Sequence, residues 1–170
     1  LDSFVPIIRK ETQSFLKVMM LMNRPARVLE VGTAVGFSAI LMSEYLPEGS
    51  HITTIENYEK RIPVAKENFL RAGRNGQITL LEGDAGQILK ELEGKYDLIF
   101  MDIQMPVMNG YEATAAIRSL PGEQGKLPIV AMTANAFAED VQLAKNTGMN
   151  GHIAKPLDMN KLNDVLENWL

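Results

Sequence analysis

At 170 residues and 18.9 kDa the chain suits one domain with one sizeable core. Charged residues make up 22% and apolar residues 46%, an ordinary globular balance, and the net charge of −4 gives no electrostatic case for nucleic acid or an anionic membrane surface. There are no cysteines, which excludes disulfides, thiolate metal sites and cysteine nucleophiles.

Short apolar runs alternate with helical patterns along the whole chain. An amphipathic helix is expected within residues 4–23. Its apolar positions Phe4, Val5, Ile7, Ile8, Phe15, Leu16, Met19, Met20 and Met22 need cover. Strands follow at 27–32, 51–56, 77–82, 97–102, 128–133 and 151–154. Each has the length of a buried parallel strand and no clean period of two. Helices are expected near 36–46, 59–73, 85–93, 109–119, 138–148 and 158–169. Pro47–Ser50, Gly73–Gly76 and Pro121–Gly125 read as turns, and Asn146-Thr147-Gly148 reads as a helix end with glycine in the left-handed position. Strands alternating with helices imply βαβ units and a parallel sheet covered on both faces. The stretch from Phe15 to Met22 is broken by Lys17 and is too short to span a bilayer, and no secretory pattern opens the chain. A cytoplasmic protein without membrane partners is the expectation.

The first strand ends in Glu30-x-Gly32-x-x-x-Gly36. Glycines there permit a tight turn and a close approach to the backbone beside a helix N-terminus. Ala34 stands where a dinucleotide fingerprint has its middle glycine, which favours a smaller ligand. The second strand ends in Glu56, an acid placed for ribose hydroxyls, and the third ends in Glu82-Gly83-Asp84-Ala85.

Through these motifs, residues from about 4 to 102 resemble the class I methyltransferases, most closely the metal-dependent O-methyltransferases of the caffeoyl-CoA type. Pro6-Ile7-Ile8 fits that subgroup. The resemblance implies contacts to S-adenosylmethionine or S-adenosylhomocysteine from Glu30, Gly32, Thr33, Gly36, Phe37 and Ser38. It puts Glu56 on the ribose, Asp84 and Ala85 near the adenine, and Asp102 near the methionine end as a metal ligand. That family completes its metal site with an Asp-Asn pair after the next strand, whereas this chain has Ala134-Asn135 there.

Residues from about 97 to 170 resemble a response-regulator receiver domain of the hybrid sensor kinase type. The resemblance makes Asp102, in Met101-Asp102-Ile103-Gln104-Met105-Pro106, the phosphoacceptor. It makes Thr133 the hydroxyl that contacts the phosphoryl group and Lys155 its cationic partner. Such a carboxylate nucleophile needs cations and donors around the transferring phosphoryl oxygens. The plain alternative is an Asp102–Lys155 ion pair closing the top of the sheet. A receiver's acidic pair for Mg²⁺ is missing, because the corresponding strand ends Val31-Gly32-Thr33, so Mg²⁺ binding is not expected. His152 is assigned no role.

The strand 97–102 serves both resemblances. Sharing it gives a three-layer α/β/α fold, a doubly wound six-stranded parallel sheet in Rossmann-like order 3-2-1-4-5-6. The switch point then falls between Gly32 and Asp102. Two half-complete sites on one sheet suggest an engineered chimeric scaffold without a complete native activity, retaining weak binding of a nucleoside ligand of the S-adenosylmethionine type. The alternatives are a phosphoacceptor signalling domain or an impaired methyltransferase. A monomer or a homodimer is expected.

Overall fold

The computed structural model describes Ile8, residues 10–92, 94–103, Met105, 109–133 and 138–154, with the side chains of Glu11, Gln124, Ala138 and Ala154 left aside. Within these residues a six-stranded parallel sheet runs in the order β3-β2-β1-β4-β5-β6. The strands are β1 (Arg27–Val31), β2 (His51–Glu56), β3 (Ile78–Glu82), β4 (Leu98–Asp102), β5 (Ile129–Thr133) and β6 (Gly151–Ala154). Every run predicted as a strand is one, with boundaries moved by a residue at most.

The helices are α1 (Lys10–Asn23), α2 (Phe37–Tyr45), α3 (Ile62–Arg71), α4 (Ala85–Glu91), α5 (Gly110–Arg118) and α6 (Ala138–Asn146). They form two layers because the strands are apolar on both faces. One core cluster joins α1, α2 and α3 to Val28, Ile52, Phe100, Val130, Met132 and Ile153. The other joins α4 and α5 to Leu29, Ile55, Ile99, Met101, Ile129 and Ala131. Alternate residues of one strand thus feed opposite cores, as the strand's two-residue period requires. The result is the doubly wound three-layer arrangement expected from the alternation.

Several local signals are realised. Gly148 closes α6 with φ +94°, and Gly49 and Gly73 also adopt positive φ in their turns. Asn109 caps α5 through a reciprocal pair, its side chain accepting from the Glu112 N–H while the Glu112 carboxylate accepts from the Asn109 N–H. Other expectations need correction. The segment read as a plain turn after Pro121 contains a 3-10 helix over Gly122–Lys126. It is drawn in by Arg118, whose guanidinium donates to the Gly125 and Leu127 carbonyls at 3.0 and 2.8 Å. In α1, Phe15, Leu16, Met19 and Met20 are buried as required, but Met22 is 44% exposed beside an exposed Leu21. The helix expected over 158–169 lies outside the described residues, as do Phe4, Val5, Pro6 and Ile7. Among the described residues no helix is long and apolar enough to cross a membrane.

Candidate functional site at the switch point

The strand order reverses between β1 and β4, so the loops leaving their C-terminal ends diverge and open a crevice. A small cleft there is lined by Ile8, the Gly32–Val35 loop, Phe37, Ser38, Asp102 and Met132. Gly32 takes φ +103°, and a β-carbon on it would sit 2.8 Å from the Asp102 β-carbon. Only glycine serves at that position, both for its dihedral and for the space Asp102 occupies. Gly36, at φ +84°, is required for a different reason: a side chain there would collide with the Phe69 ring of α3. Its role in this structure is helix packing behind the loop.

A buried polar network holds the loop. Glu30 is fully buried on β1. Its carboxylate accepts from the Ser38 hydroxyl on α2 and, at 2.6 Å, from the Thr54 hydroxyl on β2. The Thr54 proton is committed to Glu30, so the Thr33 hydroxyl, 2.6 Å away, must donate to Thr54. The donors run Thr33 to Thr54 to Glu30, with Ser38 joining from the other side. The sequence marked Glu30, Thr33 and Ser38 as ligand contacts; in the structure Ser38 bonds Glu30 directly and Thr33 reaches it through Thr54, beneath the loop. Thr54 went unmarked, because inside the apolar run Ile52–Ile55 a threonine reads as one more β-branched strand residue.

Glu56 closes the loop from the end of β2. One carboxylate oxygen accepts from the Ala34 N–H at 2.7 Å, and the other accepts from the Asn57 and Tyr58 N–H groups at 3.1 and 2.9 Å. Ala34 is thereby held at φ +49°, unusual for a residue with a β-carbon. Three of about four acceptor positions on this carboxylate are filled by the protein's own backbone. Asp84 caps α4, accepting from the Gln87 N–H at 3.1 Å, and Ala85 behind it is buried.

Across the crevice, Asp102 ends β4 with Met132 as its β5 partner, and Thr133 follows at the end of β5, 2% exposed. Asp102 and Thr133 thus stand on adjacent strand ends, as the phosphoacceptor resemblance requires. Lys155, Gln104, Ala134 and Asn135 lie outside the described residues. His152 sits on β6 opposite Ala131. Among the described residues no group of three or more His, Asp or Glu side chains is placed to hold a metal. Among the described residues Asp102 is the one carboxylate lining this cleft, and it alone does not make the octahedral, oxygen-rich set that Mg²⁺ prefers. The N–H groups of Gly32, Thr33 and Ala34 are already bonded, the first two to the Ile55 carbonyl and the third to Glu56.

Arg118 is a functional part of the scaffold that the sequence did not single out. Besides the two carbonyls already described, it donates to the Gly148 carbonyl at 2.9 Å and the Asn150 side chain at 2.7 Å. Burial lowers its pKa below the usual arginine value. Nothing in the local sequence announces this, because its partners are backbone carbonyls far along the chain.

Comparisons with known proteins match two overlapping parts of the chain. The O-methyltransferase family model matches residues 5–111, and the response regulator receiver domain model matches residues 65–167. The catechol O-methyltransferase of Niastella koreensis is 34% identical over 112 residues, covering 64% of this chain and 51% of that protein. The sensor protein GacS of Pseudomonas syringae is 36% identical over 95 residues, 55% of this chain and 10% of that protein. The chain therefore spans about half the length of the methyltransferase relative and about a tenth of the sensor. Among solved structures, a putative caffeoyl-CoA O-methyltransferase from Staphylococcus aureus superposes with a TM-score of 0.60 at 30% identity, covering 66% of this chain and 53% of that one. The O-methyltransferase of Bacillus cereus, solved in complex with S-adenosylhomocysteine, gives a TM-score of 0.52 at 27% identity, covering 56% and 46%. The chain joins two lineages on one sheet: it belongs to the O-methyltransferase family through residues 5–111 and to the response regulator receiver family through residues 65–167.

Proposed function

We propose that this chain is an engineered chimeric scaffold, one domain, that retains weak binding of S-adenosylmethionine or S-adenosylhomocysteine and completes neither methyl transfer nor phosphorelay. The observation that carries the reading is the braced loop. Glu30, Ser38, Thr33 and Thr54 tie it to β1, β2 and α2, and Glu56 ties Ala34 to the end of β2. All of these residues lie in the O-methyltransferase span, on strands that are direct neighbours. The relative from Bacillus cereus with S-adenosylhomocysteine bound supports the ligand class. When bound, the ligand's role is to carry a methyl group. The chain's part is to present the cleft wall formed by Gly32–Val35, the remaining acceptor position of Glu56 and the capped start of α4.

Incomplete chemistry on each side supports the scaffold reading. The sequence gives Ala134 where the methyltransferase metal site needs an aspartate, and Gly32-Thr33 where a receiver has its acidic pair. A calorimetric titration with S-adenosylhomocysteine tests it. Expected is a dissociation constant between about micromolar and millimolar, roughly 4–8 kcal/mol. No heat and no thermal shift at millimolar ligand would remove the binding half of the proposal. Rapid methyl transfer to a catechol would remove the other half.

A second reading, phosphoryl acceptance at Asp102, is favoured by one observation, the placement of Asp102 and Thr133 on adjacent strand ends. A carboxylate there could attack a small phosphodonor. Among the described residues no group of three or more His, Asp or Glu side chains stands ready to hold Mg²⁺. Fast, Mg²⁺-dependent labelling of Asp102 by a small phosphodonor would establish this reading over the first.

A further inference from the structure

The dipeptide Asn-Gly occurs three times, at Asn75-Gly76, Asn109-Gly110 and Asn150-Gly151. With no β-carbon on the second residue, its amide nitrogen is unshielded and can attack the asparagine side-chain carbonyl. The nitrogen–Cγ bond forms, the Cγ–Nδ2 bond breaks, ammonia leaves, and the amide proton passes to solvent base. Water then opens the five-membered imide at either carbonyl, giving aspartate or the isomer whose main chain runs through the former side chain. The reaction consumes only water. It needs a free asparagine side chain and a glycine nitrogen able to turn toward it.

The structure separates the three. Asn109 is committed to its cap, accepting from the Glu112 N–H at 2.9 Å, and the Gly110 N–H donates to the Ile103 carbonyl at 3.2 Å. Gly110 is also tightly enclosed, since a β-carbon there would lie 2.5 Å from the Asp102 carbonyl oxygen. The Asn150 side chain accepts from Arg118 at 2.7 Å and from the Ile129 N–H at 3.0 Å, while its own N–H donates to the Ile129 carbonyl. Asn75 and Gly76 are both exposed in the turn between α3 and β3, with open space around Gly76. Among the described residues neither the Asn75 side chain nor the Gly76 N–H is held by a hydrogen bond.

We infer that Asn75 is a site of spontaneous deamidation in the folded protein, selected over Asn109 and Asn150 by their tertiary hydrogen bonds. The modification places a new carboxylate next to Arg74, on the rim of a cleft lined by Ser43, Glu44, Glu48, His51, Arg74 and Gln77. The rearranged isomer also lengthens the backbone inside a turn closed by the Gln77 and Ile78 N–H groups on the Arg74 carbonyl, both at 2.9 Å. Its effect therefore falls on the start of β3, away from the Gly32 crevice.

The full chain is aged in mildly alkaline buffer and digested with an endoprotease that cuts after lysine. The fragments following Lys66, Lys95 and Lys145 carry the three asparagines separately. In the native protein, the fragment with Asn75 should gain one mass unit at least about tenfold faster than the other two, since each competitor must first open its bonds. In denaturing urea the three rates should converge, and Gly76→Ala should slow the first one. Equal native rates, or Asn109 or Asn150 leading, would overturn the inference. So would a native preference that persists unchanged in urea, because it would then reside in local sequence.

Discussion

The two sides of the switch crevice are held by opposite means. On the O-methyltransferase side, buried carboxylates accept: Glu30 gathers hydroxyls from Ser38 and Thr54, and Glu56 gathers backbone N–H groups from Ala34, Asn57 and Tyr58. On the receiver side, a partly buried cation donates: Arg118 ties the end of α5 to the 3-10 helix, the start of β5 and the turn before β6. Each hub draws its partners from its own side of the chain. None of these bonds crosses from one lineage's private elements to the other's. The two lineages share β4, whose ladders to β1 and β5 carry the sheet across, together with the clamp of Asp97 on the Ala26 and Arg27 N–H groups and apolar packing. Directional networks demand matched partners, whereas a ladder of backbone bonds accepts any side chains, so the sheet runs unbroken through the join while each network stays on its own side.

The sharpest test of this contrast is to remove the donor hub. Arg118→Ala should cost about 3–4 kcal/mol in urea unfolding, since carbonyls that it satisfies lose a charged donor. Ligand affinity of the folded protein should stay unchanged, because none of its partners belongs to the Gly32 loop. A parallel loss of ligand binding would show that the two sides are coupled.

Next in size is Gly32→Ala. It forces a β-carbon into the left-handed region and against Asp102, at a cost of about 1–3 kcal/mol. Pairing it with Asp102→Gly separates the causes. If the double variant regains a large part of the loss, the clash dominates; if it regains none, the dihedral does.

A smaller effect is expected at the seam. A cavity of about 30 Å³ lies between Leu29, matched by the O-methyltransferase family alone, and Ile117, Leu120 and Leu127, matched by the receiver family alone, with Leu89, Leu92, Tyr96 and Ile99 of the shared stretch around it. Filling it with Leu89→Phe should add up to about 0.7 kcal/mol at about 24 cal/mol per Å³, read as a rise in the urea midpoint. A loss of about 1–3 kcal/mol would mean that the walls are rigid and the larger ring overpacks them.

The smallest effect is a pH dependence. His51 has its pKa lowered from the ordinary 6.5 by desolvation, with the Arg27 charge adding to it. The unfolded chain therefore takes up this proton first. The contribution of His51 to stability is complete above about pH 6.5 and declines as pH falls below it toward the folded-state value. His51→Gln should flatten that part of the stability profile by a small amount, since the ring is substantially exposed. An unaltered slope below pH 6.5 would assign the dependence to other groups.

Much of this architecture was legible beforehand. Six apolar runs without a period of two became six parallel strands, and the shared run ending at Asp102 set the neighbour of β1 and so the strand order. The Gly32 loop and the acids at strand ends were also readable, because a tight turn and a helix start leave glycines at fixed spacings. The roles of those residues were less so. Glu30 and Ser38 read as contacts to a ligand, and the bond between them was not foreseen, nor was the room Gly36 makes for Phe69, a residue 33 positions later. Thr54 and Arg118 gave no signal at all, the first hidden in a strand and the second bonded to carbonyls that any sequence would supply.

Sequence alone therefore determined the elements, their alternation and the two ancestries, since these rest on local periodicity and on motifs contiguous in the chain. The direction of each buried carboxylate, the cation that ties the last strands together, the gap at the seam and the exposure of Asn75 were decided only by tertiary structure. They depend on which distant group supplies the missing donor, acceptor or volume, and that is fixed only when β1 lies against β4 and the helices close over both faces.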